Sequence, residues 1–258
     1  MKRLIALLLV ICLAACCFAG CAKKEASDFD NIAKDKKVIV GITDFAPMDY
    51  QENGEWTGFD AELARAVFGK LGLECEFVEI DWDNKILELN NGSIDCVWNG
   101  MTLTDEVKSA MDCSKPYVVN AQVVVMKSDN PAVSGATEES IADLSFAVEA
   151  GSAGESAAKD REYANITSLA AQSNALMEVE AGSADACIID LTMANAMTGE
   201  GTSYTDLVRV LDLDKEEYGI GFRKGSDLPE KVNKLLDGMK ADGSLQALAD
   251  KYELVLCD

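Results

Sequence analysis

The chain has 258 residues, 48% of them hydrophobic, and a formal net charge of -22 at pH 7. This length and hydrophobic content can bury one large core or two smaller ones, and the acidic charge argues against nucleic acids and anionic membrane surfaces as partners. The absence of histidine from the sequence excludes a Ser-His or Cys-His nucleophile pair and removes the commonest metal ligand.

The N-terminal segment, residues 1–20, predicts a secretory signal peptide. Lys2 and Arg3 precede an apolar run over residues 4–11, which is too short to span a bilayer stably but has the length of a signal-peptide core. The pattern therefore predicts export from the cytoplasm.

Two cysteines follow small residues at the end of this segment and are candidates for lipid attachment. Cys16 follows Leu-Ala-Ala and Cys21 follows Phe-Ala-Gly, and both stretches resemble the bacterial lipobox, whose cysteine is diacylated after cleavage. We favour Cys21 because the polar segment AKKEASD begins directly after it; cleavage without lipidation is the remaining alternative. The sequence thus predicts a lipidated tether over residues 21–35, anchored to the outer face of the bacterial cell membrane, and folded structure from about Lys36.

The segment after Lys36 predicts alternating strands and helices. A buried strand over residues 38–42 leads into a loop that carries Phe45, and an aromatic residue at a strand end is either a ligand platform or part of the core. Trp82, in the cap of a later helix, poses the same choice, and there we favour the core. The other predicted elements before that helix are a hairpin turn at 52–54, an amphipathic helix over 58–71 and a strand over 73–80.

One local design occurs twice in the sequence. Residues 87–97 and residues 177–189 each contain a helix end stopped by Gly-Ser, one intervening residue, and an aspartate that opens an apolar strand. The two aspartates are Asp95 and Asp185. We infer two similar α/β lobes. Since ligands bind beyond the carboxyl ends of the strands in open α/β sheets, two such lobes facing each other would enclose one ligand between them.

Polar residues follow the first of these strands, where such a ligand would lie. The strand breaks at Asn99-Gly100, a pair that tolerates unusual dihedral angles and leaves N–H groups free. Thr102 and Thr104 stand where a hydroxyl can cap the helix DEVKSAM or bind a ligand. The alternative is a plain strand, turn and capped helix.

The second lobe offers two further candidates. A short strand over residues 145–150 ends in the turn Gly151-Ser-Ala-Gly154 before a helix. Such a turn can bind an anion through free N–H groups and the helix dipole, and a carboxylate fits better than a nucleotide; simple helix entry is the alternative. Asp190 ends an apolar strand, where burial would be costly without a cationic partner or hydrogen bonds.

The sequence predicts neither a metal site nor a cofactor. Beyond the signal peptide and Cys21, no cysteine pair has CxxC spacing, so we expect small core residues rather than metal ligands, with one disulfide as the alternative. These cysteines are Cys75, Cys96, Cys113, Cys187 and Cys257.

Four segments together resemble the solute-binding proteins of polar amino acid ABC importers, bacterial extracellular solute-binding protein family 3. They are GEWTGFDAELARAV, DCVWNGMTLTDEV with the following SKPY, GSADACIID, and YGIGFRKGSDLPEKVNKLLDGMKADGSLQALADKY. The resemblance covers residues 36–254 and implies an α/β fold, the two-lobed type II periplasmic-binding-protein fold with a hinge of two crossing strands. The implied parts are lobe 1 (36–118 and 219–258), lobe 2 (123–213) and the hinge (119–122 and 214–218).

The same resemblance implies a ligand site between the lobes. In lobe 1, Phe45 matches the family's stacking aromatic, and Asp44 beside it is a candidate acidic contact. Asn99, Gly100 and Thr102 match positions that accept from the ligand's α-amino group or donate to the ligand.

In lobe 2, Gly151 and Ser152 match the helix N-terminus that holds the α-carboxylate, and Asp190 matches the aspartate that pairs with the α-ammonium. One position departs from the family: Val107 stands where an arginine usually forks onto the carboxylate, and valine cannot make that contact. Either the Gly151 turn and another donor hold the carboxylate, which we favour, or the ligand has no free α-carboxylate.

The resemblance predicts a monomeric, lipid-anchored receptor, not an enzyme, that captures an amino acid or related amine and hands it to an ABC permease in the cytoplasmic membrane. The acidic surface and Asp44 favour a cationic ligand. One alternative is a cyclohexadienyl-dehydratase-like lyase of similar fold. Another is the ligand-binding part of a sensor, which would need a separate signalling partner.

Overall fold

The computed structural model describes residues 27–258. The predicted signal peptide, both candidate lipidation sites at Cys16 and Cys21, and the first part of the predicted tether lie outside the described residues. The strands are β1 (Lys37–Ile42), β2 (Tyr50–Glu52), β3 (Glu55–Thr57), β4 (Glu74–Glu79), β5 (Cys96–Thr102), β6 (Asp112–Cys113), β7 (Val118–Lys127), β8 (Ser145–Glu149), β9 (Asn165–Leu169), β10 (Ala186–Asp190) and β11 (Leu207–Phe222). The α-helices are α1 (Asp28–Asp35), α2 (Phe59–Lys70), α3 (Lys85–Asn91), α4 (Asp105–Ala110), α5 (Glu138–Ile141), α6 (Ala153–Asp160), α7 (Gln172–Ala181), α8 (Leu191–Met197), α9 (Leu228–Ala241) and α10 (Ser244–Lys251).

Helix α1 places the start of folded structure earlier than Lys36, where the sequence predicts it. Ser27 caps the helix, because its hydroxyl accepts a hydrogen bond from the amide of Asp30 at 3.1 Å. Ile32 is buried in the core. The capping box formed by Ser27 and Asp30 is a recognisable start signal, but the few apolar residues of α1 do not distinguish a packed helix from a polar tether.

The central sheet joins two similar halves. Its strand order is β4-β1-β5-β11-β7-β10-β8-β9, with β6 beside β11. In each half, one strand lies between two parallel neighbours: β1 between β4 and β5, and β8 between β9 and β10. This arrangement matches the two α/β lobes inferred from the sequence, and each lobe directs the carboxyl ends of its strands toward the other.

Two long antiparallel strands, β7 and β11, connect the halves. They pair from Leu207 opposite Lys127 to Tyr218 opposite Val118, with register shifts along the way. The predicted hinge segments 119–122 and 214–218 face each other within this ladder. The lobe boundaries and the hinge motion stay predictions.

The C-terminal helices return to lobe 1. Both α9 and α10 pack against α2, and the aromatic rings of Phe68, Trp98 and Tyr117 form the adjoining core, with Phe68 and Trp98 at 5.7 Å between ring centroids. The predicted hairpin at 52–54 is confirmed as the β2–β3 pair.

The repeated aspartates have the same structural task in both lobes. The carboxylate of Asp95 accepts from the amide of Ile39 at 2.9 Å, and the amide of Asp95 donates to the carbonyl of Ile39 at 2.7 Å. In lobe 2, Asp185 makes the same reciprocal pair with Ser145, at 2.9 and 3.1 Å. Each aspartate therefore holds the start of its strand in register with the parallel neighbour.

The cysteines in the described part of the chain all carry free thiols. Cys96, Cys187 and Cys257 are buried, whereas Cys75 and Cys113 are half-buried. Across residues 27–258, we find no helix with both the length and the apolar character that a membrane crossing requires.

Candidate functional site

A cavity of about 310 Å³ lies between the two lobes, at the carboxyl ends of β5, β8 and β10. Every predicted site residue except Asp44 lines it; Asp44 is exposed outside the lining. The lining residues of lobe 1 are Phe45, Trp82, Lys85, Asn99, Gly100, Met101, Thr102, Thr104, Asp105, Glu106 and Val107. Those of lobe 2 are Glu149, Gly151, Ser152, Ala153, Ser156, Asp160, Gln172 and Asp190.

The side chain of Asn99 is committed within lobe 1. Its Oδ1 accepts from the amide of Thr43 at 2.9 Å, and its Nδ2 donates to the hydroxyl of Thr43 at 2.8 Å. These bonds tie β5 to the end of β1 and use one side-chain oxygen and one N–H in a buried place. The backbone carbonyl of Asn99, rather than its amide group, is therefore the better candidate for a ligand contact.

The amide of Gly100 is also occupied, and the expectation that it is free to bind a ligand is wrong. It donates to Oδ2 of Asp60 at 2.6 Å. Gly100 has a φ of +53°, and a Cβ at this position would lie 2.5 Å from Cε1 of Phe45. Glycine is needed here both for the backbone conformation and because the Phe45 ring lies against it.

Asp60 stabilises this wall of the cavity through its hydrogen bond with the amide of Gly100. It is fully buried, and its carboxyl accepts from the hydroxyl of Tyr117 at 2.8 Å as well as from Gly100. Burial raises the pKa of Asp60 to about 7, against the opposing effect of these hydrogen bonds. Burial, and then the charge of Asp60, raise the pKa of the neighbouring Asp49 well above its ordinary value.

Phe45 and Trp82 each belong to both the core and the cavity wall. Phe45 is almost completely buried and packs edge-on against Tyr218 at 6.3 Å between centroids. Trp82 is buried in the apolar cluster that also contains Val107. The choice between core and cleft posed by the sequence is therefore not exclusive, because one face of a large ring can pack inward while an edge lines the cavity.

Helix α4 begins as predicted. The hydroxyl of Thr104 accepts from the amide of Val107 at 3.1 Å and caps the helix. Thr102 instead donates its hydroxyl to Oε1 of Glu216 at 2.8 Å. Val107 is buried and has no polar side-chain atom, so this wall lacks the cation that an arginine would supply.

The opposite wall is the N-terminus of α6. Ser152 caps this helix, its hydroxyl accepting from the amide of Glu155 at 3.0 Å. The first amides of a helix have no acceptor within the helix, and Ala153, the first residue of α6, lines the cavity. The partial positive charge of the helix end suits an anionic ligand group.

Lys85 is a buried cation that we did not single out from the sequence. Only 7% of it is exposed. Its ammonium donates to the carbonyl of Trp82 at 3.1 Å and to the carbonyl of Gly151 at 2.8 Å, and thereby bridges the lobes. Burial lowers the pKa of this ammonium. A lysine in the first turn of a helix is opposed by the helix dipole, which makes Lys85 unusual in the sequence but does not indicate that its ammonium is buried in the cavity wall.

Asp190 lies at the end of β10 among amide donors. Its carboxylate, 4% exposed, accepts from the side-chain amides of Asn120, Gln122 and Gln172. Burial, and then the nearby carboxylate of Glu216, raise the pKa of Asp190 well above its ordinary value. A cationic ligand group would relieve the repulsion between these two acids.

Glu149 is a second buried acid of the cavity and was also missed. It ends β8, is 3% exposed, and its Oε1 has no hydrogen-bond partner. Burial raises the pKa of Glu149 to about 8, although the positive charge of Lys85 opposes this shift. The signal in the sequence is the glutamate that directly follows the apolar residues of SFAVE.

The cavity does not resemble a metal centre. Within residues 27–258, no group of three or more potential metal ligands comes together. Its chemistry is that of a small polar site with acidic groups on several walls, one ammonium, and one helix N-terminus.

Comparisons with known proteins are consistent along nearly the whole chain. Residues 38–254 match the model for the bacterial extracellular solute-binding proteins, family 3. The arginine-binding extracellular protein ArtP of Bacillus subtilis (strain 168) is 32% identical over 253 residues, which cover 95% of this chain and 96% of that protein.

Solved structures show the same architecture. A mutant of ArgBP from T. maritima has a TM-score of 0.82 and 31% identity, covering 87% of this chain and 98% of that one. The ancestral amino acid-binding protein AncCDT-1, described as a precursor of cyclohexadienyl dehydratase, has a TM-score of 0.79 and 34% identity, covering 88% of this chain and 99% of that one.

Proposed function

Because the chain belongs to family 3 of the bacterial extracellular solute-binding proteins, we propose that it captures an L-amino acid or a related amine between its lobes and delivers it to an ABC permease. Its fold is the type II periplasmic-binding-protein fold that the sequence resemblance implied. Binding without catalysis is the role we assign.

The observation that carries this proposal is the presence of opposite electrostatic features on two walls of one small cavity. Asp190 and Glu216 make one end acidic, while the N-terminus of α6 makes another end attractive to anions. A zwitterion would place its ammonium near Asp190 and its carboxylate near Ser152. The backbone carbonyls at Asn99 and Gly100 would accept further hydrogen bonds from the ammonium.

The side chain of the ligand is the next question. Glu149 adds a buried carboxyl with an unpartnered oxygen to the cavity, which favours a ligand with a hydrogen-bond donor or a positive charge beyond its α-ammonium. The similarity to an arginine-binding relative points in the same direction. We therefore place basic amino acids first among the candidates and include related amines.

A lipid anchor would keep the protein close to its permease. We assign the lipid anchor to Cys21, with Cys16 as the alternative, and the start of α1 limits the tether to the residues between Cys21 and Ser27. Incorporation of labelled palmitate that is lost in Cys21→Ala and kept in Cys16→Ala would support this assignment. The reverse pattern would move the anchor to Cys16.

A screen for thermal stabilisation followed by calorimetry tests the binding function. The panel contains the L-amino acids, ornithine, cystine, polyamines and the amines that correspond to the basic amino acids. A ligand at 100 times its Kd raises the free energy of unfolding by about 2.7 kcal/mol. Asp190→Asn should weaken binding by about 100-fold, since a buried charged hydrogen bond is lost, whereas Asp206→Asn, an exposed change of the same kind, should not. The absence of any stabilising compound would contradict the proposal.

A lyase is the second candidate, favoured by two observations. One structural neighbour is a precursor of a dehydratase. The cavity also holds the carboxyl group of Glu149, whose pKa of about 8 leaves it largely protonated at neutral pH, so that it could act as a general acid. Incubation with cyclohexadienyl amino-acid precursors, monitored by the absorbance of an aromatic product, separates the two functions. Turnover that Glu149→Gln abolishes would support the lyase, and stoichiometric binding without turnover supports the receptor.

A further inference from the structure

We propose that Lys85 supplies the cation that holds the ligand's carboxylate, in place of the arginine that position 107 lacks. The inference rests on the proposed function, since it assigns a residue to one end of the bound amino acid. Lys85 would be the second donor that, together with the turn at Gly151, holds the ligand's carboxylate.

The bonding of Lys85 leaves one N–H of its ammonium for a ligand. An ammonium group has three donors, and two are used, by the carbonyls of Trp82 and Gly151. Within the described residues, the Lys85 ammonium forms no ion pair with a carboxylate. A charged group that is 93% buried is ordinarily paired. Lys85 therefore has both the free donor and the electrostatic need for an anion.

The Lys85 ammonium lies beside the N-terminus of α6. The carbonyl of Gly151, 2.8 Å from Nζ of Lys85, belongs to the turn directly before Ser152 and α6. The ammonium and the positive end of α6 therefore converge on the same corner of the cavity. Two positive groups side by side repel each other unless an anion lies between them, and a carboxylate can accept from both.

Glu149 is the competing partner for Lys85 within the chain. Their charges attract, which is one of the effects on the pKa of each group, but the two side chains do not form an ion pair. The pKa of about 8 keeps Glu149 largely protonated at neutral pH, so it compensates little of the positive charge of Lys85. The carboxylates of Glu106, Asp83 and Glu155 also attract the ammonium, but none of them forms an ion pair with it. A ligand carboxylate would complete the pairing that Glu149 does not make.

The apolar packing of Val107 agrees with this assignment. Val107 lies in the same cluster as Trp82, and the Lys85 ammonium lies 4.8 Å from the centroid of the Trp82 ring. The Trp82 ring thus packs with the buried valine and also provides a cation–π contact that stabilises the buried ammonium.

The experiment compares pairs of ligands that differ only in the carboxylate. The probes are L-arginine with agmatine, L-lysine with cadaverine and L-histidine with histamine, measured by calorimetry on the wild-type protein, Lys85→Met, Lys85→Arg and the control Lys234→Met. Lys234 is exposed on α9 and does not line the cavity, so its variant matches the loss of charge without altering the site. The wild-type protein should prefer the amino acid of at least one pair.

Lys85→Met should weaken binding of that amino acid by about 10- to 100-fold, the range expected for a lost hydrogen bond to a charged group, and change binding of its decarboxylated partner by less than about 3-fold. Lys85→Arg should keep most of the affinity. In the Lys85→Met background, Val107→Arg should restore amino-acid binding, because it returns a cation to the usual place. A residue that only held the lobes together would not be rescued in this way.

Three results would overturn the inference while leaving the receptor function standing. They are equal losses for both members of a pair in Lys85→Met, wild-type affinity for the amine as high as for the amino acid, and unchanged amino-acid affinity in Lys85→Met. A wild-type protein that binds no member of any panel would instead overturn the proposed function, and the inference with it.

Discussion

Gly151 and Asp83 face each other at the contact between the lobes: a Cβ placed on Gly151 would lie 2.6 Å from Oδ1 and 2.7 Å from the Cα of Asp83. Gly151 also has a φ of +67°, a conformation that favours glycine. The lobes can approach this closely only because position 151 carries no side chain.

Gly151→Ala should therefore impair closure of the cleft. We expect ligand affinity to fall by about 10-fold or more, because the added methyl would contact backbone as well as side-chain atoms and could not be relieved by a rotamer change. Calorimetry measures the affinity, and small-angle scattering with and without ligand measures the closure. Gly135→Ala is the matched control: Gly135 has a φ of +78° but no atom within 4 Å of an added Cβ. Equal effects of both substitutions would attribute the loss to backbone strain alone.

Tyr117→Phe should destabilise lobe 1, because it removes a hydrogen bond to the buried carboxyl of Asp60. The expected loss is about 1–3 kcal/mol in the free energy of unfolding, measured by urea denaturation. Tyr163→Phe is the control, since the hydroxyl of Tyr163 is buried without a partner and its removal should be neutral or stabilising. Similar losses in both variants would show that Asp60 gains nothing from the tyrosine.

Glu149→Gln should remove a pH-dependent loss of stability. Glu149 has its ordinary pKa of 4.5 in the unfolded chain, whereas its pKa in the folded protein is about 8. Between these values the folded state binds more protons, so the free energy of unfolding falls as the pH rises.

The variant should consequently gain stability over the wild-type protein as the pH rises from 5 to 8, by a few kcal/mol at about 1.4 kcal/mol per pH unit. Urea denaturation of both proteins at several pH values measures this difference. Asp60 and Asp190 titrate in both proteins, so their effects cancel. A difference that does not change with pH would contradict the burial of an ionisable group at position 149.

Asp95→Asn and Asp185→Asn should each loosen one lobe, because each replaces a carboxylate that accepts from a backbone amide of the neighbouring strand, Ile39 in β1 or Ser145 in β8. We expect losses of about 1–2 kcal/mol in the free energy of unfolding, with the larger loss for Asp95, whose carboxylate also binds Arg223 at 3.0 Å. Hydrogen exchange should show the amide of Ile39 exposed in the first variant and that of Ser145 in the second. Loss of protection in both lobes from either substitution would show that the two aspartates do not stabilise their lobes independently.

Short-range signals in the sequence were sufficient for much of the framework. The cap at Thr104, the hairpin and the glycine turn before α6 depend on residues within a few positions of one another, so propensity and spacing predict them. The two copies of the Gly-Ser-x-Asp design also predicted two similar lobes. The physical reason lies in the hydrogen bonds of Asp95 and Asp185. Each aspartate precedes its strand by one residue and there forms a reciprocal pair of hydrogen bonds with the parallel neighbour.

Groups whose partners are distant in the chain could not be assigned in this way. The amide of Gly100 points inward because Asp60, 40 residues away, lies behind it. Lys85 faces the cavity because its ammonium reaches a carbonyl 66 residues away. Neither orientation follows from local spacing, since a backbone amide at a turn and a lysine in a first helical turn are ordinarily solvated.

The order of residues along the chain thus established the lobes, their strands and the end of the sheet at which a ligand would bind, since these depend on hydrophobic periodicity and local hydrogen bonding. The packing of one lobe against the other established which polar groups share the cavity. Burial then set their charges: it keeps Glu149 largely protonated at neutral pH and, among residues 27–258, leaves the Lys85 ammonium without an ion-paired carboxylate. Both effects require a buried space that exists only after the two halves of the fold have come together.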